Sequence, residues 1–279
     1  MGSYPNPMQP EILPPDPGTA PYQQPARKQR SSWTSAPATY VLVSINCAVF
    51  LAMLANHVSF MSPTSEDLLF HWGANNAGAV LILGQWWRVV TAMFVHAGII
   101  HLAANMWCLW NLGMLAESLI GTAGVFAAYL LTGAAGNLLS VFASRLLDHP
   151  ADMNDVYFGS VGVGASGAVF GLAGLLIVLL KSPLLPVPPE ELKRLRKSVI
   201  YFAGINLLIG LGSWVPGSPV RIDNMAHVGG CLCGLLFAVP LVPRIGAPRQ
   251  LFLTRRRIAV GMVVLVLTLF AFFIDQFRF

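Results

Sequence analysis

Seven apolar runs dominate the chain, at roughly 39–58, 97–117, 121–143, 165–180, 198–215, 224–242 and 258–275. A bilayer core about 30 Å thick takes about 20 apolar residues of helix to cross. Runs of this number and length leave one fold class, an all-α polytopic membrane protein. Charge points the same way: only 10% of the 279 residues are Asp, Glu, Lys or Arg, against roughly 25% in a soluble domain. The four cysteines, Cys47, Cys108, Cys231 and Cys233, all sit within apolar runs. There they read as small packing groups and not as a disulfide framework.

Residues 1–37 carry nine prolines and no apolar run, too little apolar surface to offset the entropy of ordering, and are expected to form a disordered cytoplasmic tail. The basic residues set the expected orientation. With the N-terminus cytoplasmic, Arg27, Lys28, Arg30, Lys181, Lys193, Arg194, Arg196, Lys197, Arg244, Arg249, Arg255, Arg256 and Arg257 all fall inside. Arg88, Arg145, Arg221 and Arg278 fall outside. Thirteen against four is a strong positive-inside bias, so the basic pI near 9.2 reads as topology and not as nucleic-acid binding. An odd number of spans then puts the C-terminus on the exterior. The long first exterior loop, about 59–96, contains Trp86-Trp87-Arg88, a combination that favours the headgroup region.

Polar residues inside spans cost free energy and mark candidate sites. Three clusters stand at the exterior ends of their spans. On the second span, His101 and Asn105 share one helix face at i, i+4, with His96 just ahead. They either bridge helices or donate hydrogen bonds to a common point. On the fourth, Gly162-Val163-Gly164-Ala165-Ser166-Gly167 precedes an apolar stretch giving about 22 Å of helix. A helix so short should begin below the membrane surface. Glycine-rich backbone at that depth lines a protein-enclosed or water-filled cavity, and Ser166 would open the helix with its amide facing that cavity. The bland alternative is that these glycines only permit tight packing.

On the sixth span, His227 shares a face with Gly230 and Gly234. Small residues spaced by four, here and at Gly167 and Gly171, allow two helix backbones to approach closely. Such a seam would bring His227 to Ser166, where a neutral imidazole activates a hydroxyl nucleophile. Phe170, one turn beyond Ser166, would pack on the imidazole ring. Asp223, four residues before His227, reads as a helix N-cap in preference to a third catalytic member. No lysine falls within a span, and the carboxylates among them, Glu117 and Asp275, stand at span ends. A Ser–Lys mechanism and an ion-coupled transporter are both disfavoured on that count.

Taken together, Trp87-Arg88, His101-xxx-Asn105, Gly164-Ala165-Ser166-Gly167 and Ala226-His227 with Gly230-xxx-Gly234 resemble the rhomboid family of intramembrane serine proteases, in order and in span number. The resemblance implies a six-helix core over 38–243; outside it, hydropathy and charge leave a basic cytoplasmic linker over 244–257 and one additional C-terminal helix over 258–279. It implies a Ser166–His227 dyad, with His101, Asn105 and the Ser166 amide stabilising the oxyanion. Gly164, Gly230, Gly234, Phe170, Arg88 and His96 would support it. It also implies transmembrane protein substrates cut near their exterior ends and no metal or other cofactor; the topology makes a bacterial plasma membrane the simplest location, with an organellar membrane as the alternative. Val163 and Phe170 stand where relatives often have Gly and Tyr; Phe170 keeps the stacking surface and loses a hydroxyl. A non-catalytic rhomboid-like protein that binds transmembrane clients is the alternative from another class.

Overall fold

The computed structural model describes residues 36–56, 58, 60, 64–147, 159–182, 185, 187–213, 222–242 and 248–276. The expected tail therefore lies outside the described residues except for Ala36 and Pro37. Among the described residues, seven principal helices follow the seven apolar runs: α1 (Pro37–Ala55), α5 (Ile99–Ile120), α6 (Thr122–Leu147), α7 (Ser166–Leu179), α8 (Pro189–Gly212), α9 (Asn224–Ala238) and α10 (Arg249–Asp275). Three short helices, α2 (Glu66–His71), α3 (Ala77–Leu81) and α4 (Arg88–Thr91), fold the first long loop. Five of the principal helices are long and apolar enough to cross a membrane, and α7 and α9 are shorter apolar helices. The molecule is an all-α polytopic membrane protein.

α7 sits at the centre. Eleven of its 14 residues are buried, as expected of a helix apolar on every side. It packs against α9, α6, α5 and α8. The α7–α9 contact is backbone on backbone: a Cβ on Gly230 would collide with the Gly167 carbonyl, and one on Gly234 with the Gly171 carbonyl. Lipid supplies no hydrophobic drive between helices, so such close van der Waals contact is what joins them.

The start of α1 is held by a residue far along the chain. The Glu117 carboxylate of α5 accepts hydrogen bonds from the Ala38 and Thr39 amides, both 2.9 Å, and from the Thr39 hydroxyl, 2.8 Å. A helix N-terminus leaves its first amides without intrahelical partners, and an anion there also complements the helix dipole. Glu117 is 4% exposed, and these three donors are what allow a carboxylate to be buried within an apolar run.

At the same end of the bundle, arginines meet helix C-termini. Arg196 donates to the Ile177 carbonyl of α7 at 3.0 Å. Arg255 donates to the Pro240 carbonyl just beyond α9 at 2.6 Å, and Arg256 to the Ile120 carbonyl of α5 at 3.2 Å. Cations are favoured at helix C-termini, where carbonyls lack partners. These contacts also explain a difference from expectation. α10 begins at Arg249, nine residues before its apolar run, so most of the expected linker at 244–257 is helical.

A second, smaller apolar cluster lies on the outer side of α6. There Ala77, Val80 and Leu81 of α3, Val89 of α4, Leu138 and Val141 of α6 and Ile274 of α10 come together. The C-terminal helix thus reaches across α6 toward the folded first loop, with Phe270 against Phe142 at 5.6 Å between ring centroids.

Candidate active site

The approach to Ser166 is an extended segment threaded between loops. Gly162 pairs with Asn75 of the first loop through two backbone hydrogen bonds of 2.8 Å. The Gly164 amide then donates to the Ala92 carbonyl at 2.9 Å. Gly164 has φ +111°, a conformation open to glycine and strained for other residues. The space beside it is also closed: a Cβ there would lie 2.7 Å from His101 Nε2 and 3.3 Å from Asn105 Nδ2. The same glycine therefore turns the chain and brings its backbone against the two polar side chains of α5.

Ser166 is the first residue of α7, as expected, following Ala165 at the N-cap position. Its amide is among those that begin a helix without an intrahelical acceptor. His227 lies within the first turn of α9 and is 5% exposed. Phe170 stacks flat on its imidazole, with centroids 4.1 Å apart and planes 9° from parallel. Gly167 and Ala226, the residues next to Ser166 and His227, face each other: a Cβ on Gly167 would stand 3.3 Å from the Ala226 carbonyl oxygen. Gly230 and Gly234 supply the close approach that this requires. His227 Nδ1 is buried and has no hydrogen-bond partner among the described residues.

His96 is fully buried between these elements. Its Nε2 faces the Ala165 amide at 3.5 Å and its Nδ1 the Phe94 carbonyl at 3.3 Å, while its ring meets that of His101 at 5.2 Å. Burial, reinforced by the neighbouring His101, pushes the His96 imidazole down to about 3. The ring is thus neutral, donating from Nδ1 to Phe94 and accepting at Nε2 from Ala165. It fastens the residue immediately before Ser166.

Arg88 departs from expectation. It does not sit with headgroups but is 4% exposed inside the first loop. It donates to the carbonyls of Phe70 at 2.6 Å and Ala74 at 3.0 Å and to the Gln85 side chain at 2.6 Å. Its guanidinium also lies over the rings of Phe70 and Trp87. Unsatisfied loop carbonyls and aromatic faces outcompete water for a planar, weakly hydrated cation. Arg88 thus shapes the loop that presents Asn75 to Gly162, one step removed from Ser166.

Asp223 caps α9, its Oδ1 accepting from the Ala226 amide at 2.9 Å. Its other oxygen accepts from the Ser140 hydroxyl of α6. Sequence reasoning had no signal for Ser140, a lone serine in an apolar helix, nor for the Asn75–Gly162 pairing across 87 positions.

Similarity to known proteins covers the same region of the chain. Residues 83–244 match the family model described as the Rhomboid domain. The chain is 29% identical to Rhomboid protease AarA of Providencia stuartii over 88% of this chain and 86% of that protein. It is 30% identical to Rhomboid protease GluP of Bacillus subtilis over 75% of this chain, and 34% identical to RHOMBOID-like protein 6, mitochondrial, of Arabidopsis thaliana over 67%. The aligned regions span 36% and 54% of those two longer relatives. The domain match takes in every residue discussed from Arg88 to Gly234, and on that ground the chain belongs to the rhomboid family.

Proposed function

We propose that the protein is an intramembrane serine endopeptidase working through Ser166 and His227. The observation that carries this reading is the glycine seam of α7 and α9, which sets the first turns of both helices side by side with Phe170 flat against His227. Two of the relatives above are named rhomboid proteases, which supports the same class of chemistry.

In this mechanism His227 accepts the Ser166 hydroxyl proton as Oγ bonds to the scissile carbonyl carbon. The carbonyl π electrons move to oxygen, and the resulting oxyanion is met by the Ser166 amide, His101 and Asn105. His227 then gives its proton to the leaving amine as the C–N bond breaks, leaving an acyl-enzyme. Water, giving its proton to His227, attacks the ester carbon; the C–Oγ bond then breaks, His227 returns the proton to Oγ, and the new carboxyl terminus leaves. The substrates are transmembrane proteins, cut near one end of a span where the helix unwinds. A buried His227 Nδ1 and an Asp223 carboxylate engaged elsewhere are consistent with a dyad lacking an acidic third member.

The proposed topology places the N-terminus in the cytoplasm of a bacterial cell, the C-terminus outside, and the site at the exterior end of the bundle. The concentration of arginines at the opposite end supports it. The proposed core is 38–243, with α10 as the additional helix. The test is labelling by a fluorophosphonate probe in detergent. The native chain is expected to react at Ser166, and Ser166→Ala to lose that labelling. Equal labelling of both proteins overturns the reading.

A further inference from the structure

One carboxylate joins three parts of the molecule that the dyad needs in register. Asp223 lies outside the imidazole's contacts, yet it stands four residues before His227 and accepts the His227 amide at its backbone carbonyl, 3.3 Å. Its Oδ1 takes the Ala226 amide, in the turn that carries His227, at 2.9 Å. Its Oδ2 takes the Ser140 hydroxyl from α6. The same Oδ2 abuts Gly162, where an added Cβ would sit 3.3 Å away. Gly162 is in turn paired to Asn75, and two residues later Gly164 lies against His101 and Asn105. The carboxylate thus ties the first turn of α9 to α6 and rests against the extended segment that leads to Ser166. Burial pushes its carboxyl up, opposed by the hydrogen bonds from Ser140, Ala226 and Met225. A plain N-cap at a solvated helix end would need neither the burial nor the Ser140 contact.

We propose that Asp223 is a positioning residue, holding His227 at working height beside Ser166 through Ser140 and the first turn of α9. The inference rests on the protease reading and adds to it a residue that acts on the base without touching it. Ser140 is its partner, and removing either loosens the same joint.

The test follows the rate of fluorophosphonate labelling at Ser166 against probe concentration, which separates the maximal rate from the apparent affinity. A displacement of about 1 Å at a reacting group costs about 100-fold. Asp223→Ala is therefore expected to lower the maximal rate by about 10- to 100-fold with affinity unchanged. Ser140→Ala should lower it severalfold and add little on top of Asp223→Ala. Asp223→Asn, which keeps an acceptor for the Ala226 amide and an amide to meet Ser140, should recover most of the rate. Glu117→Gln, at the far end of the bundle, serves as a control for lost stability. A maximal rate unchanged in Asp223→Ala overturns the inference, as does an equal loss in a Glu117→Gln protein of matched melting temperature. If the native chain itself is not labelled at Ser166, the protease reading fails first, a result distinct from both.

Discussion

α7 and α8 are packed neighbours that have opposite relations to the rest of the molecule. Eleven of the 14 residues of α7 are buried, whereas only 17% of the apolar window of α8 is. α10 shares the low value of α8. Hydropathy alone does not set burial, since α10 carries the most apolar stretch of the five long helices and is as little buried as α8; side-chain size at the contact matters as well. Along α7 and α9, Gly167, Gly171, Gly230 and Gly234 fall opposite one another and let main chain touch main chain. Along α8 and α10, Gly204, Gly212 and Gly261 meet nothing within 4 Å, and branched residues such as Ile205, Leu208, Leu211, Leu265 and Leu269 stand exposed. A glycine makes a seam only when its partner is equally bare. The rigid half of the molecule therefore carries both proposed reacting groups, and the lipid-facing half surrounds it.

The most direct way to break this contrast is to fill the seam. Gly230→Leu has no space before the Gly167 backbone, and overpacking of this kind costs about 3 kcal/mol or more. The variant should lose Ser166 labelling and its cooperative thermal transition, both read on purified protein. Survival of both would mean that the two helices can part without consequence.

Glu117→Ala comes next. It leaves three donors of α1 without their shared acceptor, for an expected loss of about 3 kcal/mol. Chemical denaturation in micelles would measure it, and α1 amides should exchange faster with deuterium while those of α7 do not.

Acid should act through the rigid half as well. The His96 imidazole has its folded value lowered from 6.5 to about 3. The unfolded chain therefore binds a proton that the folded one refuses between these values. Stability is fully present above about pH 6.5 and declines as pH falls toward 3, on the order of 2 kcal/mol lost by pH 5. His96→Gln should flatten that part of the melting-temperature profile against pH. An unchanged profile would assign the sensitivity elsewhere.

The smallest effect is expected on the loose side. Gly261→Ala on α10 meets open space and should raise stability by up to about 1 kcal/mol through helix propensity. A loss in its place would show that this face is covered by a neighbour.

How much of this was legible beforehand depended on range along the chain. Helix positions, Ser166 at the head of α7, Asp223 as a cap and the glycine seam all follow from spacings of four residues or from a local turn. Arg88 misled because a Trp-Arg pair near a membrane suits headgroups equally well; only the folded loop shows the Phe70 and Ala74 carbonyls waiting for it. The start of α10 at Arg249 was hidden for a related reason. Hydropathy registers Arg255 and Arg256 as polar, while their acceptors, the carbonyls of Pro240 and Ile120, carry no side-chain signature. Ser140 beside Asp223 and Thr39 beside Glu117 are separated by 83 and 78 positions, beyond any periodicity.

Arg196, Arg255 and Arg256 draw the ends of α7, α9 and α5 together at one mouth of the bundle, like a cord through the neck of a bag. The glycine seam beside Ser166 and His227 closes the other mouth, so α7 and α9 are held at their two ends by different means, cation on carbonyl at one and main chain on main chain at the other.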